Sequence, residues 1–183
     1  MNIFVLDNDP ETAAQMMCDK HIPKMIVETY QMLGSALRRH GATDDQMPLT
    51  QAGKPLKGGY HHHPCTKWVG DSGGNFSWTW EHGVALCKEY TLRYCKTHAC
   101  EHGIKNMINT WSDLGHSGKC LGVYMTPFAL AMPDQYKFGN AIDSYRRYYI
   151  MEKAYFAKWE RGREKPDWFV TENEKCLTGV LIM

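Results

Sequence analysis

The run over residues 23–40 constrains the fold more than any other part of the chain. Met25, Ile26, Met32, Leu33, Ala36 and Leu37 recur at helical spacing on one side, while Lys24, Glu28, Gln31 and Ser35 form a polar stripe at i, i+4, i+7 and i+11. That pattern is an amphipathic helix, whose apolar face must be buried against other elements. Pro23 suits its first turn, where the missing N–H would be unpaired anyway. Gly41 suits the left-handed position that closes it.

Other elements follow from local signals. Asp9-Pro10-Glu11 reads as N-cap, first-turn proline and first-turn acid, opening a short helix to about Cys18. Pro64 opens another short helix that contains Trp68, and the run 71–74 interrupts it. A long helix is expected over about 75–98, a weaker one over 101–113, and a strong, aromatic-rich one from the Asn140 cap to about Arg161. Residues 41–60 and 115–122 read as loops, 166–169 as a segment that packs back, and 2–6 as an extended arm. The expected fold is mainly α: a compact bundle of three to four main helices with long connecting loops and a short extended N-terminal arm. The 183 residues are expected to form a single domain, with 170–183 as a loosely packed tail.

Composition narrows the function classes. A hydrophobic fraction of 43% and a charged fraction of 22% are ordinary for a soluble globular protein, and no apolar run is long enough to span a bilayer, so no membrane partner is expected. Asp7, Asp9 and Glu11 stand where an export signal would carry positive charge. Seven cysteines without a CxxC pair read as free thiols in a reducing compartment, so the expected location is cytoplasmic, in a viral or bacterial setting. The net charge is only +1, so any nucleic-acid surface must be local. Candidate patches are Arg38-Arg39-His40, Lys54 with Lys57, Arg146-Arg147, and Arg161, Arg163 and Lys165.

The chemistry concentrates where the first long helix begins. Asp19, Lys20 and His21 sit just before the expected helix start, and Glu28 lies about one turn inside it. An acid, an amine and an imidazole at one helix end can perform acid–base or imine chemistry. Lys24 and Glu28 also form an ordinary i, i+4 pair of the kind found on solvated helices. His61-His62-His63-Pro64-Cys65 resembles a metal site only superficially, because adjacent side chains point in different directions; no metal is expected, and His63 alone, placed by Pro64, faces a site. Trp68 is the leading aromatic candidate to meet a base, although most aromatics at helical spacing belong to a core. Arg93 follows Glu89 by four residues and pairs with it in this reading. No phosphate-binding glycine loop is present, and no cofactor is expected.

Taken in order, several short motifs resemble a known family. Met1-Asn2-Ile3-Phe4, Asp19-Lys20-His21 with Glu28 nine residues after Asp19, His63-Pro64, Glu89-Tyr90-Thr91-Leu92-Arg93-Tyr94 and Met132-Pro133-Asp134-Gln135-Tyr136 look like the pyrimidine dimer DNA glycosylase (phage endonuclease V-like) family, in order and rough spacing over residues 1–160. The resemblance implies a compact all-α domain that binds damaged duplex DNA. In that family an amine at the N-terminus attacks the sugar C1′ of a pyrimidine lesion, a glutamate assists, and β-elimination can follow. Glu28 matches the family glutamate, and His21 matches a histidine two residues after the aspartate, here Asp19. The best-known member exposes a small residue by losing its methionine. Here Asn2 follows Met1, so the amine expected is that of Met1, or Lys20 or Lys24 in its place.

Three readings stay open at this level. The first is a glycosylase or glycosylase/lyase acting on a pyrimidine nucleotide in DNA. In it Glu28, His21, Lys20 and Met1 are catalytic, and Asn2, Asp19, Lys24, His63, Trp68, Arg93 and Arg146 bind substrate. The second is an enzyme that processes a free nucleotide or modified base on the same scaffold, without an imine. The third is a non-catalytic protein that sequesters a nucleotide.

Overall fold

A computed structural model describes residues 1–116 and 122–171. Among them are six helices and no strand: α1 (Pro10–Met16), α2 (His21–Arg39), α3 (Pro64–Val69), α4 (Gly73–Tyr94), α5 (Glu101–His116) and α6 (Ala141–Lys153). Four of these are long, as the sequence predicts. Helix α2 packs on α4, which also receives α1 and α5, while α3 and α5 lean on α2. The whole expected apolar face of α2, from Met25 to Leu37, is buried. Each of its Met, Ile and Leu side chains contributes about 1.5–3 kcal/mol by leaving water.

Where local signals decide, the expected ends hold. Asp9 caps α1 by accepting from the Thr12 amide at 2.7 Å, and Asn140 caps α6 by accepting from the Asp143 amide at 2.9 Å. Gly41 takes the left-handed conformation after α2, with φ of +94°. Helix α2 starts two residues earlier than expected, at His21. Pro23 is then its third residue, where the N–H would still lack an intrahelical partner, so the helix loses nothing.

Long-range contacts move the other ends. Gly73 and Gly74 do not interrupt but open α4, capped by Ser72, which accepts from the Asn75 amide at 3.1 Å. A Cβ on Gly74 would lie 2.6 Å from the Met125 amide nitrogen, so only glycine lets that segment cross the helix start. Helix α4 stops at Tyr94, before the expected His98, with Cys95 left-handed. Helix α6 stops at Lys153 instead of reaching Arg161. Its continuation is captured by Asp19, whose amide donates to the Lys158 carbonyl at 2.9 Å. The Asp19 carboxylate accepts from the Glu160 amide at 2.7 Å. Helix α5 runs past the expected end at 113 to His116.

The stretch 41–60 is not a featureless loop. It carries a 3₁₀ turn at Asp44–Gln46 and an antiparallel bridge between Leu49 and Pro55. Arg38 Nε ties it to α2 by donating to the Leu56 carbonyl at 3.1 Å. The segment 166–169 packs back through buried Phe169, whose ring meets Trp159 at 4.7 Å. Most of the expected tail, 172–183, and most of the 115–122 loop lie outside the described residues.

The N-terminal arm is the element that positions the site. Ile3, Val5 and Leu6 are fully buried, and Phe4 lies among His21, Tyr148 and Tyr149. Helix α6 holds the arm down through Arg146, whose Nε donates to the Leu6 carbonyl at 2.9 Å.

Candidate active site

Burial of residues 3–6 fixes where the chain start must emerge, and it emerges beside α2. The Asn2 amide donates to Glu28 Oε2 at 2.7 Å. The Met1 amine lies 3.8 Å from the same oxygen. The Asn2 side chain accepts from the amides of Ile3 and Phe4 and donates to the Ala131 carbonyl at 2.9 Å, which locks the turn that aims the amine. The Met1 side chain is fully buried although the residue as a whole is half-buried, so what it exposes is backbone. Lys24 Nζ approaches the other carboxylate oxygen at 3.7 Å from an exposed position. Glu28 itself keeps 13% of its side chain open. One carboxylate thus meets two cations and a backbone donor, at a spot still reached by solvent.

His63 joins this group from the start of α3. It is an unusual N-cap: its Nδ1 accepts from the Cys65 amide at 3.2 Å, which leaves Nε2 to carry the proton of the neutral ring. Burial holds the imidazole below its ordinary value, the nearby Met1 amine lowers it further, and Glu28 opposes them. The same two charges act on Cys65, which lies behind the site. Burial pushes that thiol up to about 11, so it is a neutral wall and not a nucleophile. Its Sγ meets the Tyr145 hydroxyl at 3.9 Å, and that hydroxyl donates to the Ala129 carbonyl at 2.6 Å.

The structure therefore brings together Met1, Asn2, Lys24, Glu28 and His63 out of the residues singled out by sequence. The others serve elsewhere. His21 is buried in the aromatic core, stacked on Phe4 at 4.8 Å, with Nδ1 lacking a hydrogen-bond partner. Burial first, and then Lys24, Lys153 and Lys20, push it down to about 3, so it is a neutral ring at physiological pH and makes no hydrogen bond to Glu28. Lys20 is exposed, with its ammonium 4.9 Å over the Phe156 ring. Arg93 cannot reach a phosphate. Its fully buried guanidinium donates to Glu89, Asp19 and the carbonyls of Met17 and Gln15. Asp19 is thereby a structural anchor, bound to Arg93 and to the 158–160 segment. Trp68 is buried against Trp78 and Phe128 and donates to the Thr126 carbonyl at 3.3 Å, so it offers no face to a base. Arg146 is committed to Leu6 and Asp7 and lies over Trp168.

Three of the four expected basic patches hold arginines paired with carboxylates: Arg38 with Asp44 and Arg39 with Asp71 in the first, Arg146 with Asp7 in the second, and Arg163 with Glu89 in the third. Among the described residues no group of three His, Cys, Asp or Glu side chains is placed to hold a metal ion.

Sequence reasoning missed the Cys65–Tyr145 wall, for which no local signal exists. It also missed the loop that borders the site. Ser35 Oγ donates to the Gly59 carbonyl at 3.0 Å and accepts from the Gly59 amide at 2.8 Å. The Lys24–Glu28–Gln31–Ser35 stripe is therefore not simply a solvated face but the line along which the arm and this loop dock.

The family model described as pyrimidine dimer DNA glycosylase matches residues 1–102. That span holds the arm, α1 to α4 and every member of the Met1–Glu28–His63 group, whereas the Met132–Tyr136 block lies beyond it. No curated protein and no solved structure matches the chain significantly.

Proposed function

The chain belongs to the pyrimidine dimer DNA glycosylase family, and from that premise we propose that Met1 and Glu28 form the reacting pair of a glycosylase acting on a pyrimidine lesion in DNA. The observation that carries this reading is the 3.8 Å approach of the Met1 amine to Glu28 Oε2. An amine and a carboxylate at that separation can contact one sugar together.

In the proposed step the neutral amine attacks C1′ of the damaged nucleotide. A C1′–N bond forms as the glycosidic bond breaks, and the base leaves the sugar with the electron pair, takes up a proton from solvent and stays joined to its neighbour through the cyclobutane ring. The attacking nitrogen gives its proton to Glu28, which is near enough to accept it. Glu28 then passes that proton to the ring oxygen as the sugar opens, which yields an imine whose positive charge faces the restored carboxylate. Water can hydrolyse the imine, or loss of a C2′ proton can expel the 3′-phosphate by β-elimination. His63, neutral and presenting an Nε2–H, supplies a hydrogen bond to a sugar or phosphate oxygen. Lys24, on the exposed side of Glu28, supplies charge for the backbone.

The direct test is cleavage of the glycosidic bond in a duplex that carries one cyclobutane pyrimidine dimer, read as base release after photoreversal of the dimer. Wild type should release the base and Glu28→Gln should not; equal rates for the two would reject the assignment of Glu28. A second reading, an enzyme for free or modified nucleotides without an imine, is favoured by one observation: Arg38, Arg39, Arg146 and Arg163 are all engaged by carboxylates. Binding of a free nucleotide that is insensitive to salt would support it, and tight duplex binding with a steep salt slope would reject it.

A further inference from the structure

The lysines around the N-terminal arm are held differently from the arginines of the expected patches. Lys20 Nζ lies 4.9 Å over the Phe156 ring, and Lys153 Nζ lies 4.9 Å over the Tyr148 ring. Among the described residues neither ammonium is paired with a carboxylate. Glu152, beside Lys153 in the chain, is taken by the Tyr136 hydroxyl, which donates to it. The two rings belong to one row of contacts. Phe156 meets His21 at 5.2 Å, His21 stacks on Phe4 at 4.8 Å, and Phe4 stacks on Tyr148 at 6.0 Å. Phe4 lies two residues after Asn2, whose amide is bonded to Glu28. The row therefore passes behind the reacting pair, with one lysine at each end. Lys24 joins the row to the pair: it is one helical turn beyond Lys20 on α2, exposed, and 3.7 Å from Glu28 Oε1. The His21 imidazole feels all three ammoniums; after burial, it is they that push it down. A chain whose net charge is only +1 thus gathers three positive charges beside its proposed site.

A cation in a carboxylate pair must give up its partner to meet a phosphate, and the pair carries no net charge. An aromatic face holds an ammonium without neutralising it. It also fixes a long side chain, so less rotamer freedom is lost when the ammonium meets its ligand. We propose that Lys20, Lys24 and Lys153 hold the phosphodiester backbone of the duplex beside the reacting sugar. This inference rests on the glycosylase reading and adds to it the surface by which a nearly neutral chain grips a polyanion.

The test is equilibrium binding to a duplex that carries one cyclobutane dimer, followed by fluorescence anisotropy over a range of salt concentrations. Each neutralised phosphate adds about 0.9 to the slope of log affinity against log salt. Lys20→Ala and Lys153→Ala should each lower the slope by about that amount, and the double variant by about twice as much. Lys20→Arg and Lys153→Arg keep the charge and should keep the slope, which separates phosphate contact from folding. Lys105, which Glu101 holds on α5, is the paired control, and Lys105→Ala should leave the slope unchanged. Replacing the linkages that flank the dimer, one at a time, by an uncharged methylphosphonate should reveal at least one that weakens wild type and no longer weakens the double variant. Unchanged slopes in the two alanine variants, an equal drop in Lys105→Ala, or no such linkage would overturn the inference while leaving the glycosylase reading intact. Failure of wild type to cleave the glycosidic bond of the same duplex would sink the reading and this inference together.

Discussion

The Asn2 amide and the Glu28 carboxylate are joined by a 2.7 Å hydrogen bond that fixes the first peptide of the chain onto the first long helix. Because Asn2 also closes a turn onto Ile3 and Phe4, the Met1 amine is aimed by buried residues and not by a free end. As the nucleophile of the proposed reaction, an amine placed in this way would need only to give up a proton before it reacts.

Glu28→Gln should lower single-turnover base release by at least about a hundredfold, within the range of a lost acid–base group. The amide oxygen of glutamine can still accept from Asn2, so the melting temperature should stay close to wild type. Thermal melts run beside the kinetics check that the loss is chemical.

His63 reports on the site without any substrate. The Met1 amine lowers its pKa and Glu28 raises it. Acetylation of the Met1 amine should therefore move the His63 titration upward, and Glu28→Gln should move it further downward. Proton NMR of the imidazole ring follows both, and two shifts in the same direction would contradict the geometry.

Arg93→Met should destabilise the fold by about 3–5 kcal/mol, the usual result of taking one partner from a buried ion network. It strips Asp19 of its cation and leaves Glu89 with Arg163 alone. Burial works to raise Glu89, and it is only the two arginines that keep its pKa low. Denaturant titration measures the loss.

Acid should unfold the protein through its buried imidazoles. His21 is pushed down to about 3 and His82 to about 4, in both cases chiefly by burial. Below about pH 6.5 the unfolded chain takes up protons that the folded chain refuses, so stability is full above that value and falls as pH drops toward 3 to 4. Each histidine contributes about 1.4 kcal/mol per pH unit in that window. His21→Phe, which keeps the stack on Phe4, should reduce the slope by close to one proton in urea titrations run from pH 7 to pH 4.

What was legible in the sequence was what a few neighbouring residues decide. The caps at Asp9 and Asn140, the left-handed Gly41 and the buried face of α2 all follow from spacing alone. The stripe holding Glu28 was visible too, but not that the arm and the loop at Gly59 dock along it. Three features were hidden because their causes lie far along the chain. Helix α6 ends early because Asp19 bonds residues about 140 positions away. Arg93 looked available because its acceptors at Gln15, Met17 and Asp19 are more than 70 residues distant. His21 looked like a site residue because its sequence neighbours are polar, whereas its spatial neighbours are Phe4, Tyr149 and Phe156.

Borohydride trapping on dimer-containing duplex DNA, followed by peptide mapping of the adduct, tests the central assignment most directly. The Met1–Glu28 pairing predicts a covalent protein–DNA adduct on the peptide that begins with Met1, absent in Glu28→Gln and after acetylation of the amine. An adduct on the peptide carrying Lys20 or Lys24, or base release with no adduct at all, would contradict it.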